Sequence, residues 1–299
     1  MKIVFFGTPD FAVASLKILL ENGYEVVAVV TAPDKERGRG KNISFTPVKE
    51  SALKNNIPVL QPEKMKDEKF VEELKLLNAD LFIIVAFRIL PPEVFTLPKF
   101  GAFNLHGSLL PRYRGAAPIQ WALINGDSET GVTTFFLKEK VDTGAMILQE
   151  KIDILTEDNF GILHDKLMEI GANVVLQTVR LIETGNVITY SQDESLVTPA
   201  PKITKELCAI DWNKPANHVH NLIRGLSPHP GAFFIHNEKI FKIYSTSVVE
   251  NNLMLGQIFQ TKKELIIGTK EGSISILEIQ PEGRKRMKIE EFLLGYKLA

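Results

Sequence analysis

The sequence predicts an α/β protein in two parts: a mostly parallel sheet covered by helices, then a small β-barrel. Three observations lead there. Continuous apolar runs rich in Val, Ile and Phe, at 3–6, 26–30 and 81–86, alternate with longer amphipathic stretches, the pattern of strands buried on both faces of a parallel sheet. From residue 231 the apolar runs become short and closely spaced, as a small barrel requires. Between these regions, 184–205 has no sustained periodicity and contains Gly185, Pro199 and Pro201, which reads as a linker. The expected domains are 1–183 and 206–299, joined by 184–205.

The elements follow in order. Helices are expected at 11–20, 48–55 and 68–77, between and after the first strands, so that repeated strand–helix–strand units build a parallel sheet. A strand at 102–105, a short helix at 118–125 and two later strands at 131–137 and 146–152 come next, and a long helix over 160–183 closes the first domain. In the second domain 215–226 reads as helix, with strands at 232–235, 240–244, 265–268 and 273–279. In an open parallel sheet, ligands bind beyond the carboxyl ends of the strands. Chemistry is therefore sought there.

Composition narrows the class. The 299 residues carry 35 Lys+Arg against 36 Asp+Glu and are 44% hydrophobic, which excludes a disordered chain and a globally basic nucleic-acid coat. The balance is uneven: 206–299 holds 12 Lys/Arg against 10 Asp/Glu, with Arg284, Lys285, Arg286 and Lys288 clustered. Such a cluster is a solvated face unless something else marks it. Cys208 is the single cysteine, so no intrachain disulfide, Cys-cluster zinc site or redox pair can form. The apolar start is too short for a signal sequence and no run approaches the ~20 residues of a membrane span. A cytoplasmic, soluble, monomeric chain without a membrane partner is expected.

Gly7-Thr8-Pro9-Asp10-Phe11 follows the first strand, but its one glycine does not make a dinucleotide turn; Pro9 reads as a helix N1 residue. The next block is more informative. Asn104 and His106 stand two apart at a strand end, so an amide and an imidazole face the same side. Either alone reads more readily as structural, a satisfied strand-end amide or a core histidine. Gly107 permits a sharp turn after them, and Asp142 lies in the loop 141–145 before a later strand. Together an Asn, a His and an Asp suit attack on a carbonyl carbon. The amide donates to the oxyanion, the imidazole moves protons, and the carboxylate orients the imidazole and stabilises its charged form. Ser108 lacks a nucleophile elbow and reads as a hydrogen-bonding residue, so the chemistry is direct transfer between two bound substrates. No metal is expected: His218 and His220 sit i,i+2 on a helix and diverge. Trp121 and Trp212 read as core or interface residues. The loop 32–42 is charged and glycine-rich; read by composition it is a solvated loop, and equally Arg39 and Lys41 on glycine hinges can order on phosphates and stack on an unpaired base.

These blocks, with Gly38-Arg39-Gly40-Lys41, Thr46-Pro47-Val48-Lys49, Arg112-Tyr113-Arg114-Gly115-Ala116-Ala117-Pro118, Ile210-Asp211-Trp212 and Arg284-Lys285-Arg286-Met287, resemble the 10-formyltetrahydrofolate-dependent formyltransferases over nearly the whole chain. Within that family the branch acting on methionyl-tRNA is most similar. The resemblance implies a Rossmann-like formyltransferase domain and an OB-like tRNA-binding barrel. It implies 10-formyltetrahydrofolate as formyl donor and co-substrate, initiator methionyl-tRNA as acceptor, and no covalent enzyme intermediate. Asn104, His106 and Asp142 would be catalytic. Ser108, Leu109, Leu110 and Pro111, with Phe87, Ile89 and Leu90, would bind folate. Gly38, Arg39, Gly40 and Lys41 would enter the acceptor arm, and Arg284, Lys285, Arg286 and Lys288 would face the acceptor stem. The family's glycinamide ribonucleotide enzymes have about one domain. Its UDP-amino-sugar N-formyltransferases carry a C-terminal barrel too and are the alternative; the loop 32–42 separates them. In 86–92 the sequence is one residue shorter than the usual family segment and has Arg88 in place of a glycine.

Overall fold

The computed structural model describes residues 1–37, 42–250 and 253–298, and the side chains of all of these except 36, 37, 42 and 43. The chain begins with β1 (Lys2–Gly7), α1 (Phe11–Glu21), β2 (Glu25–Val30), β3 (Lys35–Arg37), β4 (Asn42–Ser44), α2 (Pro47–Lys54), β5 (Val59–Leu60), α3 (Glu68–Leu76) and β6 (Leu81–Val85). It continues through α4 (Pro92–Phe95), β7 (Ala102–His106), β8 (Arg114–Gly115), α5 (Pro118–Ile124), β9 (Glu129–Phe136), β10 (Met146–Asp153) and α6 (Phe160–Glu183). After β11 (Pro199–Ala200) and α7 (Ala216–Gly225) come β12 (Ala232–His236), β13 (Lys239–Val249), β14 (Ile258–Gln260), β15 (Leu265–Gly268), β16 (Ser273–Pro281), β17 (Met287–Lys288) and α8 (Ile289–Gly295).

By contact these gather into two units, one of Met1–Gly115, Gly131–Ile152 and His164–Pro199, the other of Ala116–Thr130, Asp153–Leu163 and Ala200–Ala299. Segments 116–130 and 153–163, expected with the first domain, pack with the second unit, where Ile124 joins its core. Much of the expected linker belongs to the first unit: Tyr190 and Met146 exchange backbone hydrogen bonds at 2.8 and 2.9 Å.

In the first unit the strands are ordered β10-β9-β7-β6-β1-β2-β5. The five from β5 to β7 are parallel, and β9 runs antiparallel to β7. The chain moves outward from β1 through β2 to β5, then returns to β6 on the other side of β1, so the strand order switches between β1 and β6. Val4, Phe6, Phe82 and Ile84 form one face of the core with Phe70 and Leu74 of α3 and Val94 and Phe95 of α4. Burying each such side chain stabilises the fold by about 1.5–3 kcal/mol. On the other face Thr134 of β9 meets Thr178 of α6 at 2.8 Å.

Pro9 is not the first helical residue of α1. Asp10 takes the cap, its carboxylate accepting from Phe11 N at 3.0 Å, because a short acidic side chain can satisfy a free helix N–H that proline cannot. The proline N1 position is filled instead at Pro47, behind the Thr46 cap of α2.

In the second unit β12-β13-β16-β15-β14 form an antiparallel sheet with β17 on β16. Register shifts around Ser245 bend β13 as bulges do. The sheet curls as an OB-like half-barrel, its path among the described residues ending at β12 and β14. Phe234, Phe241 and Ile276 pack with α7 and with Phe292 of α8 in its concavity. Among the described residues, no helix is long and apolar enough to cross a membrane.

Candidate active site

The carboxyl end of β7 carries the first two candidate residues. Asn104 lies beside Ile84 of β6 and opposite Phe135 of β9, and His106 lies opposite Thr133. Alternation along the strand puts Asn104 and His106 on one face, while Leu105 between them lies against Gly171 of α6. Asn104 is half-buried and its amide has no partner among the described residues. His106 is buried, and its Nε2 donates to the carbonyl of Tyr113 at 2.8 Å. A carbonyl can only accept, so Nε2 carries a proton, and Nδ1 is the ring nitrogen left open to a substrate.

The turn after β7 is pinned along its length. Ser108, fully buried, donates from Oγ to the carbonyl of Arg112 at 2.6 Å. Thr133 Oγ1 donates to the Ser108 carbonyl at 2.7 Å and accepts from Leu110 N at 3.0 Å and Gln149 Nε2 at 2.9 Å. Tyr113 sits at φ +61°, a left-handed conformation that costs a side-chain-bearing residue about 1–2 kcal/mol. It is fixed from both sides, its N–H donating to Thr198 Oγ1 at 2.8 Å and its carbonyl receiving His106.

Asp142 also occupies the left-handed region, at φ +55°. Its Oδ2 accepts from Gly115 N at 3.0 Å, and Gln192 Nε2 donates to the carbonyls of Asp142 and Gly144, both at 2.9 Å. Gly144 has no room for a side chain, because a Cβ there would fall on the Phe136 carbonyl. Among the described residues no hydrogen bond joins Asn104, His106 and Asp142 to one another. The segment 113–115 connects the last two, through Tyr113 and Gly115. A free amide donor and an imidazole thus stand toward the carboxyl end of β7, and a carboxylate is held on the same 113–115 segment that receives the imidazole, a set that suits attack on a carbonyl carbon.

A formyl transferase model matches residues 1–179, and a model of the formyl transferase C-terminal domain matches 202–297. The chain belongs to the formyl transferase family. Among its relatives, a methionyl-tRNA formyltransferase of Flavobacterium johnsoniae is 50% identical, over 99% of this chain and 96% of the relative. Another, of Caldanaerobacter subterraneus subsp. tengcongensis, is 49% identical over 100% and 98%. A solved N-formyltransferase from Helicobacter canadensis, in complex with folinic acid and dTDP-3-aminofucose, superimposes with TM-score 0.70 at 21% identity, covering 96% of this chain and 100% of that one. That likeness establishes the formyl transferase fold.

For this formyl transferase the structure sorts the remaining candidates. Leu90 is buried and Phe87 packs edge-on against Phe6 at 5.7 Å, so both belong to the sheet's core, whereas Ile89 is 70% exposed. Leu109 is half-buried, and Leu110 and Pro111 are buried. Arg88 reaches away from its own turn: its guanidinium donates to the carbonyls of Pro62 at 2.7 Å and Glu63 at 3.0 Å. A cleft of about 630 Å³ walled by Gln61, Pro62 and Glu63 contains none of the three candidate catalytic residues.

Gly38, Arg39, Gly40 and Lys41 lie outside the described residues. The strands on either side of them are paired, β3 with β4, up to Arg37 opposite Asn42. Below that ladder Lys49 Nζ binds Asp34 at 2.5 Å and Gln61 at 2.7 Å; the Lys49 hydrogen bond, then that of Gln61, lowers the Asp34 carboxyl below its usual range. In the second unit Arg284, Lys285 and Lys288 are exposed. Arg286 is engaged, paired with Glu278 and stacked over the Tyr244 ring at 4.6 Å. Trp121 donates from Nε1 to the Pro201 carbonyl at 2.8 Å, and Trp212 packs against Phe234.

Four contributors escaped the sequence reading: Thr133, Gln149, Gln192 and Thr198. Thr133 had a faint signal shared with Thr134, the two being polar residues inside the otherwise apolar run 132–137. Gln192 and Thr198 had none, since they stand in a stretch without periodicity.

Proposed function

We propose that this chain transfers the formyl group of 10-formyltetrahydrofolate to the α-amino group of methionine on initiator methionyl-tRNA. The observation that carries this reading is the near-50% identity, over essentially the full length of both chains, with methionyl-tRNA formyltransferases. The sugar-modifying neighbour shares the fold at 21% identity.

The residues fit a folate donor. Ile89 offers exposed apolar surface beyond β6 for a ring, and Asn104 offers an unpaired amide near the switch in strand order. Ser108, Leu109, Leu110 and Pro111 form the pinned wall beside it. Asn104 donates to the formyl oxygen as the neutral amine of methionine attacks the formyl carbon and that oxygen gains negative charge. His106 takes the amine proton at Nδ1 and delivers it to N10 of the folate. The new C–N bond replaces the C–N10 bond, and tetrahydrofolate leaves with no acyl-enzyme formed. Asp142, held on Gly115 N, acts on the His106 imidazolium by its charge.

The acceptor is gripped by local groups. Arg39 and Lys41 contact the acceptor arm, and Arg284, Lys285 and Lys288 contact phosphates of the stem; Arg286, tied to Glu278, supports that surface. Each phosphate contact removed lowers the salt dependence of binding by roughly 0.7–0.9 in log–log slope. The test supplies 10-formyltetrahydrofolate with initiator methionyl-tRNA, elongator methionyl-tRNA or a nucleotide-linked amino sugar. Formylation of initiator methionyl-tRNA in preference to both supports the reading, and preferential formylation of the sugar overturns it.

A further inference from the structure

Gln192 makes four hydrogen bonds with its side-chain amide. Its Oε1 accepts from Arg114 Nε at 3.0 Å and Nη2 at 2.7 Å, and its Nε2 donates to the Asp142 and Gly144 carbonyls. Those partners leave the amide one orientation, because a guanidinium only donates and a carbonyl only accepts. Arg114 is itself fixed, its Nη1 and Nη2 forming a fork with Glu194 at 3.1 and 2.8 Å, and its side chain is only 10% exposed. Asp142 needs such support: its left-handed backbone is held at the carboxylate by Gly115 and at the carbonyl by Gln192. Arg114 and Gly115 are neighbours, so one dipeptide controls both attachments.

We infer that Gln192 is a positioning residue for formyl transfer, coupling Arg114 to the Asp142 loop so that the carboxylate keeps its place. This rests on the catalytic role proposed for Asp142. Ionised, the side chain of Gln192→Glu retains size and pairs with Arg114 more strongly, but it has no proton for the two carbonyls and opposes them with its own lone pairs. A residue that merely anchored Arg114 would tolerate this change. A residue that holds the loop would not.

The experiment compares wild type, Gln192→Glu, Asp142→Asn and their double variant for kcat and for KM of each substrate. Hydrogen exchange is read over 140–146 in the same proteins. Gln192→Glu is expected to lose about 10–100-fold in kcat, with both KM values within about twofold. Adding it to Asp142→Asn is expected to change kcat less than about twofold, and exchange over 140–146 is expected to quicken. A kcat near wild type, an equal loss in the Asp142→Asn background, or unchanged exchange overturns the inference. A wild-type chain that forms no formyl-methionyl-tRNA overturns the proposed function instead, and the exchange comparison still decides the role of Gln192.

Discussion

His106 and Asp142 are held on backbone groups two residues apart: His106 Nε2 donates to the Tyr113 carbonyl at 2.8 Å, and Asp142 Oδ2 accepts from Gly115 N at 3.0 Å. The relative placement of base and carboxylate is therefore set by backbone groups rather than by a direct bond. This arrangement leaves Nδ1 of the imidazole for substrate. It also makes the two side chains depend on everything that fixes 113–115.

Thr133→Val tests one such support. The valine keeps the volume but removes the donor to the Ser108 carbonyl and the acceptor for Leu110 N. Both groups lie in a buried turn, and an unsatisfied buried group costs about 1–3 kcal/mol. A lower denaturant midpoint, measured by far-UV circular dichroism, is expected together with reduced kcat. An unchanged midpoint would mean that the turn finds other partners.

Asn104→Ala should leave the fold intact, because the amide has no partner to lose. Loss of one oxyanion donor costs roughly 10²–10³ in kcat, about 2.7–4 kcal/mol. Steady-state kinetics should show that loss with little change in folate KM. An alanine variant turning over at the wild-type rate would remove Asn104 from the mechanism.

Stability should fall on mild acidification through His220. Its Nδ1 meets Thr246 Oγ1 at 2.9 Å, and burial, then the nearby Arg224 charge, lowers its pKa below the ordinary 6.5. Between the depressed folded value and 6.5 the unfolded chain binds more protons than the folded one, so stability rises with pH across that window. The contribution is complete above 6.5 and is lost as pH falls through the folded pKa. Denaturation midpoints measured from pH 7.5 to 5 should decline in the wild type and less so in His220→Gln. Parallel profiles would assign the decline to other groups.

Legibility followed the physical signal. Buried parallel strands announce themselves as unbroken apolar runs, so β1, β2 and β6 were readable, and Asn104 and His106 could be put on one face from their spacing alone. The two-residue strand β5 and the three-residue strand β14 are too short to carry a period. The OB-like domain was readable as a series of short, closely spaced strands, although alternation records burial on one face and not whether the sheet's edges meet. Tyr113 contributes a carbonyl, which every residue has, so its role with His106 was invisible in its side chain. Gln192 was hidden for the opposite reason: its three partners, Arg114, Asp142 and Gly144, are 48 to 78 residues away in sequence, while its own neighbours look like linker.

The most direct measurement is the single-turnover rate of formyl transfer from 10-formyltetrahydrofolate to initiator methionyl-tRNA, across a cycle of His106→Gln, Asp142→Asn and the double variant. If the 113–115 segment makes base and carboxylate one unit, each single variant slows transfer by about 10²–10⁴ and the double variant is no slower than His106→Gln. Losses that multiply, or either single variant reacting at the wild-type rate, would contradict the account.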